Sequence, residues 1–389
     1  MELREAIKQF RAILLPHLAR KQECGEFAEI VMVLLVGLLW GLYNPHQIAQ
    51  ELGCAPGTFY GALSSLSARQ WRQLLETMML AHALERLQLY QQRSEATRSR
   101  LNATLAIDDS VVKRLGQALS YVWSWYSGQF KQVVRGQDLV GIVLHFNGET
   151  IPLALVWVSK QGSGPTSKPE VLLKEMNRLK ERFAADGIDL TQIGLSLDSW
   201  WISQPLIEGL VELGFDKQVI AAKASLQLCD ATGKANLGAR RERATLKAGW
   251  GHRRPAERLR GENPTLGTLV VVLFEHPRSK TFGVICPARP LRTCEALRIW
   301  ANQSAVETFW KRLKHWLGLG QMQLRGRSGS WAELCLRVLA YFLAGALGAP
   351  QNITLAQLTH SLRREATFAR LIDEHFHLDF GGNAPIARI

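Results

Sequence analysis

The feature that most constrains the fold of this chain is the dipeptide Asn147-Gly148, which lies between two apolar runs rich in β-branched residues. The runs occupy residues 139–146 and 150–158. Asn and Gly both tolerate the positive φ angles of a type I′ turn, so this dipeptide between two such runs is the strongest short-range signal of a β-hairpin. The sequence therefore predicts two antiparallel strands near the middle of the chain.

Further strands are predicted on either side of this hairpin, at residues 104–110, 193–197 and 218–222. A capping box formed by Ser167 and Glu170 predicts a helix over residues 167–185, and a second helix is predicted over residues 204–213. The polar segment that joins the first strand to the hairpin is predicted to be a loop. Strands that follow a hairpin through helical connections predict an α/β fold with a mixed sheet and helices on its faces.

The amino-terminal segment, residues 1–100, is predicted to be wholly helical. Asn44 is expected to cap a short helix, Gly53 to end it, and a second short helix carries Thr58 and Tyr60 on its polar side. Two short helices joined by a glycine turn form the helix-turn-helix pattern, whose second helix enters the major groove of DNA. The alternative is a helical hairpin that does not contact DNA, and the pattern alone leaves both interpretations open.

The charge balance of the chain indicates a polyanionic partner. The net charge is +13 and the isoelectric point is near 9.7, which favours nucleic acid before an anionic membrane. A basic run extends over residues 234–260 and includes Arg253 and Arg254. Such a run is often a solvated face, but in a basic protein we expect it to contact phosphates. A second hairpin is predicted just after it, at residues 266–275 and 281–286.

The cysteines and the apolar runs indicate the cellular compartment of the protein. The six cysteines form no CxxC pair, and no secretory leader is evident, which favours reduced thiols in the cytoplasm. The apolar run over residues 30–43 is too short to span a bilayer comfortably, so a buried helix is predicted. The sequence therefore predicts a cytoplasmic, nucleoid-associated protein without a membrane partner.

A late amphipathic helix is predicted to begin at Trp300 and to end at Gly318 or Gly320. At 3.6 residues per turn, Trp300, Gln303, Glu307 and Lys314 lie on one stripe. The apolar face of the same helix comprises Val306, Phe309, Trp310, Leu313 and Leu317. The alternative for Glu307 is an i,i+4 ion pair with Lys311 on a solvated surface.

Acidic residues at the ends of two predicted strands and on the late helix form a candidate constellation: Asp108, Asp198 and Glu307. Strand ends of neighbouring strands meet at one edge of a sheet, and a helix packed across that edge can supply a third carboxylate. Clustered carboxylates repel one another unless cations occupy the site. Oxygen-only ligands favour two Mg2+ or Mn2+ ions, which together activate a nucleophile and stabilise the leaving oxygen of a phosphoryl displacement.

The same residues carry a resemblance to a known family, the bacterial insertion-sequence transposases with an RNase-H-like core and an Asp, Asp, Glu catalytic triad. The resemblance covers roughly residues 104–347. It rests on three blocks, which are Ile107-Asp108-Asp109-Ser110, Leu197-Asp198-Ser199-Trp200-Trp201 and Trp300-x2-Gln303-x3-Glu307-x6-Lys314. The last is similar to the signature Tyr-x2-Arg-x3-Glu-x6-Lys of a subgroup of the family.

The match to the family is not complete. Glu307 and Lys314 match the signature residue for residue, whereas Trp300 and Gln303 stand where it has Tyr and Arg. In the second block, Trp201 stands where tyrosine is usual. In the first block, the spacing Asp-x-Ser favours Asp108 as the first ligand, with Asp109 as the alternative.

The resemblance implies a DNA transposase that binds the terminal inverted repeats of its own element as a homodimer, cuts them and joins the 3′ ends to target DNA. Asp108, Asp198 and Glu307 would be catalytic and hold the metal ions. The residues implied or predicted to contact DNA are Lys314, Lys311, Arg325, Arg253, Arg254, Thr58 and Tyr60.

The combined prediction has five segments. These are a helical DNA-binding domain (1–100), the first part of an RNase-H-like core (101–223), a basic β-containing insertion (224–294), the second part of the core (295–348) and a helical tail (349–389). Two other functions stay open. One is a non-catalytic helix-turn-helix regulator with a decayed core, and the other is an RNase-H-like nuclease without strand transfer.

Overall fold

The structure is a computed structural model that describes residues 12, 25–95, 97, 102–116, 118–160, 167–249, 252–275, 281–321, 324–348, 357, 360, 363 and 367–376. The chain divides into two compact units. The first unit contains residues 1–79, 111–138 and 309–389, and the second contains residues 80–110 and 139–308.

The helices, in chain order, are α1 Gly25–Trp40, α2 Pro45–Leu52, α3 Gly57–Ser65, α4 Ala68–Gln91, α5 Lys168–Ala185, α6 Gln204–Glu212, α7 Leu237–Arg243, α8 Thr293–Ala301, α9 Gln303–Lys311, α10 Gly326–Gly348 and α11 Phe368–His375. The strands are β1 Thr104–Lys113, β2 Val122–Ser127, β3 Gln132–Phe146, β4 Glu149–Trp157, β5 Gly194–Leu197, β6 Gln218–Ala221, β7 Gln227–Asp230, β8 Gly233–Asn236, β9 Lys247–Gly249, β10 His252–Asn263, β11 Gly267–Phe274 and β12 Gly283–Cys286.

The second unit is built on a mixed sheet. Its strand order is β3–β1–β5–β6–β12–β11–β10–β7–β8, with β4 paired to β3 and β9 paired to β10. β5 is parallel to both β1 and β6, whereas the strands from β12 onward pair in antiparallel fashion. Because β12 also pairs with β6, the basic segment predicted as an insertion continues the same sheet. The predicted α/β class, with a mixed sheet flanked by helices, is confirmed.

Helix α8 covers one part of this sheet. Its Ala296 and Ile299 are buried in a cluster with Val219, Val270 and Val284 of the strands. A Cβ atom added to Gly194 would lie 2.7 Å from Ile299, so only glycine allows β5 and α8 to approach this closely.

The predicted turn, capping box and second hairpin are confirmed. Asn147 and Gly148 have φ angles of 51° and 81°, and β3 and β4 pair in antiparallel register from Phe146 and Glu149. Ser167 and Glu170 form the predicted capping box at α5. The predicted hairpin of β11 and β12 is also formed.

The predicted loop between the first strand and the hairpin is wrong. β1 continues to Lys113, β2 occupies Val122–Ser127, and β3 begins at Gln132 rather than at Leu139. β2 and the start of β3 pair in antiparallel register within the first unit. The basic residues of this segment, Lys113, Arg114, Lys131 and Arg135, led to the loop prediction, although the strands also carry the buried pair Trp125 and Val134.

The late helix is also more broken than predicted. α8 ends at Ala301, and the side-chain amide of Asn302 donates to Thr104 Oγ1 at 2.8 Å and to the carbonyl of Asn102 at 3.3 Å. α9 then begins at Gln303 and continues as a π-helical turn over residues 312–316. The predicted apolar face is buried throughout, at Val306, Phe309, Trp310, Leu313 and Leu317.

The first unit has a helical core in which α10 packs against α1 and α3. Asn44 accepts a hydrogen bond from the backbone of Gln47, and Gly53 ends α2 with φ 65°, as predicted. Within the described part of the chain, no helix alone has the length and apolar character needed to cross a membrane. Residues 27–40 and α2 together have the required length and composition, but the two helices are bent by 97° relative to each other.

Candidate functional site

Asp108 and Asp198 are side by side in the second unit. β1 and β5 are parallel neighbours, and Ile107 is the register partner of Leu197. Each aspartate is the next residue after one of these partners. Because adjacent strands lie about 4.8 Å apart, Asp108 and Asp198 occupy neighbouring positions. Asp198 follows the end of β5, whereas Asp108 lies inside β1, which continues to Lys113, so its predicted position at a strand end is wrong.

Glu307 lies near the two aspartates because a residue one helical turn earlier, Gln303, binds the strand that carries Asp108. The buried side chain of Gln303 donates from Nε2 to the carbonyl oxygen of Ile107 at 3.1 Å. This bond fixes the first turn of α9 on the strand that carries Asp108. Glu307 follows Gln303 by four residues, so it lies on the same face of the helix.

The pKa values indicate that the three carboxylates interact with one another. The pKa of Asp108 is raised well above its ordinary value, first by loss of solvent and then by the charges of Asp109, Asp198 and Glu307. The pKa of Glu307 is also raised, first by loss of solvent and then by the charge of Asp198. The structure therefore brings together the three acids that the sequence singled out from distant parts of the chain.

The surface ion pair that was the alternative for Glu307 is not formed. Among the described residues, Glu307 makes no salt bridge to a lysine, an arginine or a histidine. An ion pair with Lys311 would lower the pKa of Glu307, whereas the pKa is raised.

Asp109 has a different environment from Asp108. Its carboxylate accepts from Lys168 Nζ at 2.6 Å, and the lysine is buried with its ammonium group 5.1 Å from the centre of the Trp200 ring. Lys168 begins α5, and sequence reasoning missed it because it lies 59 residues away from its partner. Asp109 therefore has an ion-pair partner in Lys168, whereas the charged groups that act on Asp108 are other carboxylates.

The donor set of this site suits a hard divalent cation. It consists of carboxylate oxygens only, and mutual repulsion is relieved when a cation binds between them. As the side chains stand, no group of three His, Cys, Asp or Glu residues in the described part of the chain is arranged to hold a metal ion. Asp108 and Asp198 instead each accept a hydrogen bond from the backbone N–H of the following residue.

The predicted recognition residues of the amino-terminal helices lie in the first unit. Thr58 and Tyr60 are partly buried on α3, and the Tyr60 ring packs edge-on against His46 of α2 at 5.5 Å. Tyr60 thus serves as a packing contact between the two short helices.

The other predicted DNA contacts are divided between the units. Lys311 and Arg325 are exposed in the first unit, where Lys314 Nζ donates to the carbonyl of Val111 at 2.9 Å. Arg254 lies in the second unit, with its guanidinium group 5.3 Å from the centre of the Phe274 ring. The side chain of Arg253 lies outside the described residues.

Comparison with known proteins finds no family model that matches the chain and no curated protein that matches it.

Proposed function

We propose that this protein is a DNA transposase of the Asp, Asp, Glu type, which cuts the ends of its own mobile element and joins them to target DNA. The observation that carries the proposal is the register of β1 and β5. It makes Asp108 and Asp198 neighbours, and the charges of both aspartates and Glu307 interact. Three interacting carboxylates that have no ion-pair partner among the described residues are unfavourable for folding alone, which supports a role in chemistry.

The topology supports an RNase-H-like core. In the second unit, the strand order is β4–β3–β1–β5–β6. The hairpin of β3 and β4 lies on one side of β1, and the parallel strands β5 and β6 lie on its other side. Helices α5 and α6 form the connections from β4 to β5 and from β5 to β6. This arrangement resembles the core of RNase-H-like enzymes, in which acids at the ends of the central strands carry out phosphoryl transfer.

The residues of the chain have distinct roles in this proposal. Asp108, Asp198 and Glu307 would hold two Mg2+ or Mn2+ ions, which activate the attacking oxygen and stabilise the leaving oxygen of a phosphodiester. Gln303 positions Glu307 by its bond to Ile107. Lys168 would keep Asp109 out of the ligand set by its ion pair with the carboxylate.

The partner would be double-stranded DNA, at the element ends and at the target, and the protein would act as a homodimer in the cytoplasm. Lys314, Lys311 and Arg325 would neutralise phosphates from the first unit, and Arg254 would do so from the second. The excess of 13 positive charges supports a polyanionic partner.

The proposal is tested with Asp198→Asn, which removes one charged ligand and keeps the shape of the side chain. DNA carrying the repeats that flank the gene is incubated with Mg2+, and both cut strands and joined products are measured. We expect wild-type protein to yield both products and the variant to yield neither, with DNA binding unchanged. Asp186→Asn is the matched control, because Asp186 is an exposed acid at the end of α5.

The same assay separates the two other functions. A nuclease without strand transfer would cut DNA with or without terminal repeats and would give no joined products. A non-catalytic regulator would bind the repeats and leave them intact at every concentration of divalent cation. Either result would contradict the transposase proposal.

A further inference from the structure

An antiparallel ribbon in the first unit has features that the proposed catalytic site does not use. We define the ribbon as residues 122–137, which comprise β2, a turn and the beginning of β3. Its pairing extends from Val122 opposite Gln137 to Ser127 opposite Gln132. The backbone of Arg114, just after β1, donates to the carbonyl of Arg135 at 3.1 Å and attaches the ribbon to the unit.

The two faces of the ribbon differ sharply in exposure. One face is buried, with Trp125 8% exposed and its register partner Val134 7% exposed. On the opposite face, Tyr126 is 62% exposed and its partner Val133 is 64% exposed. The turn adds Phe130, which is 41% exposed. Large apolar side chains on the solvent side of a short ribbon are costly for solubility, so their exposure indicates a binding surface.

The charge of this segment has a single sign. From residue 111 to residue 137 there is no Asp or Glu, whereas Lys113, Arg114, Lys131 and Arg135 are basic. Arg114 is buried in an ion pair with Glu333, and the other basic side chains are exposed. The exposed surface therefore presents cations between aromatic rings.

One of the exposed cations lies close to an exposed ring. Lys113 Nζ lies 5.8 Å from the centre of the Phe130 ring. Ser124, which lies on the exposed face, is the register partner of Arg135. Lys314 of the transposase-like signature donates to Val111, on the end of β1 to which the ribbon is attached. The ribbon and the signature lysine thus meet the same short stretch of β1 within the first unit.

We propose that the ribbon binds a DNA strand with unpaired bases, which stack on Tyr126 and Phe130 while Lys113, Lys131 and Arg135 neutralise its phosphates. Exposed aromatic rings between basic side chains are the pattern of single-strand binding surfaces, since every unpaired base offers a face for stacking. Bases in an intact duplex are already stacked and cannot use the rings. The choice of DNA as the polyanion rests on the proposed function.

Binding is measured by fluorescence anisotropy with a single-stranded oligonucleotide and a blunt duplex of the same sequence, in EDTA so that no cleavage occurs. At about 1–3 kcal/mol per stacked base, the double variant Tyr126→Ala, Phe130→Ala should lose at least tenfold in affinity for the single strand. Its affinity for the duplex should change less than threefold. Tyr126→Phe should bind as wild type does, because it keeps the ring.

Val211→Ala is the matched control, because Val211 is 41% exposed on α6 in the second unit. Lys131→Gln with Arg135→Gln should reduce the slope of log affinity against log salt by about 1.4 for the single strand. Circular-dichroism melting of each variant verifies folding, and light scattering verifies the oligomeric state.

A double alanine variant that melts like wild type and binds the single strand with unchanged affinity would overturn the proposal. An equal loss on single strand and duplex would also overturn it, as would a loss of dimer with no loss of DNA affinity. Because the measurement excludes divalent cations, its outcome is independent of whether Asp198→Asn abolishes cleavage.

Discussion

Gln303 donates a hydrogen bond from its side-chain amide to the carbonyl oxygen of Ile107 at 3.1 Å. Ile107 is the last residue of β1 before Asp108, and Gln303 is one helical turn before Glu307. This bond, together with the bond from Asn302 to Thr104, holds the helix that carries the glutamate against the strand that carries the first aspartate. The amide of Gln303 thus has a structural role between α9 and β1.

Gln303→Ala tests this positioning role. Removing the amide leaves the buried carbonyl of Ile107 without its partner, which should lower the free energy of unfolding by about 1–3 kcal/mol. Cleavage turnover should fall by roughly 10- to 100-fold, as for groups that orient metal ligands, while DNA affinity stays constant. Ser304→Ala, at the exposed neighbouring position, should leave turnover unchanged. Normal turnover in Gln303→Ala would show that Glu307 does not depend on this bond.

Divalent cations should stabilise the wild-type protein, because they relieve repulsion among Asp108, Asp198 and Glu307. In thermal melts, Mg2+ at about 100 times its dissociation constant should raise Tm by roughly 2 °C or more. Asp108→Asn and Glu307→Gln should respond less, and Asp186→Asn should respond as wild type does. An equal response in all four proteins would place Mg2+ binding elsewhere.

The buried ion pair of the first unit should be important for stability. Glu333 binds Arg114 at 2.8 Å and accepts from the backbone of Gly320, and both side chains are 1% exposed. Glu333→Ala leaves a buried arginine without its anion, so the free energy of unfolding should fall by about 3–5 kcal/mol. Glu374→Ala removes a pair in which Glu374 is 46% exposed and should cost about 0.5 kcal/mol or less. Denaturant titration measures both, and similar losses would contradict the prediction.

Glu149 should make stability depend on acid pH. Although burial raises its pKa, the hydrogen bonds and charges of His82 and Arg86 outweigh this effect and lower the pKa below its ordinary value of 4.5. A lowered pKa stabilises the folded state at pH values above 4.5, and this stabilisation is lost as the pH falls towards the folded-state pKa. Glu149→Gln should therefore be less stable than wild type at pH 7, by about 1 kcal/mol or less because the pair is partly exposed.

Thermal melts of wild type and Glu149→Gln between pH 3 and pH 7 measure this difference in stability. Glu212→Gln is the control, because Glu212 is exposed at the end of α6. The difference from wild type should shrink as the pH falls. A difference that stays constant across this range would show that ionised Glu149 does not contribute.

Short-range signals were predictable from the sequence. The Asn147-Gly148 turn and the caps at Asn44 and Ser167 each depend on residues within about four positions, so their side chains and backbones decide the outcome locally. The proximity of Asp108 and Asp198 was also predictable, because two parallel neighbours bring equivalent positions together. The predicted strand end at Asp108 was wrong, because β1 continues to Lys113.

Long-range contacts were not predictable. The break between α8 and α9 depends on Asn302 reaching Thr104, which lies 198 residues earlier in the chain. The pairing of Lys168 with Asp109 and the attachment of the ribbon to the end of β1 also depend on how distant elements pack. No local pattern contains that information.

The central claim is that acids from three distant segments meet around divalent cations, and iron-directed cleavage of the protein tests it most directly. Fe2+ bound in place of Mg2+, with ascorbate and peroxide, generates radicals that cut the backbone near the ion. We predict three sets of fragments, with ends near Asp108, Asp198 and Glu307, which disappear with excess Mg2+ and in Asp198→Asn. Cuts near only one of these residues, or cuts that persist in Asp198→Asn, would contradict the account.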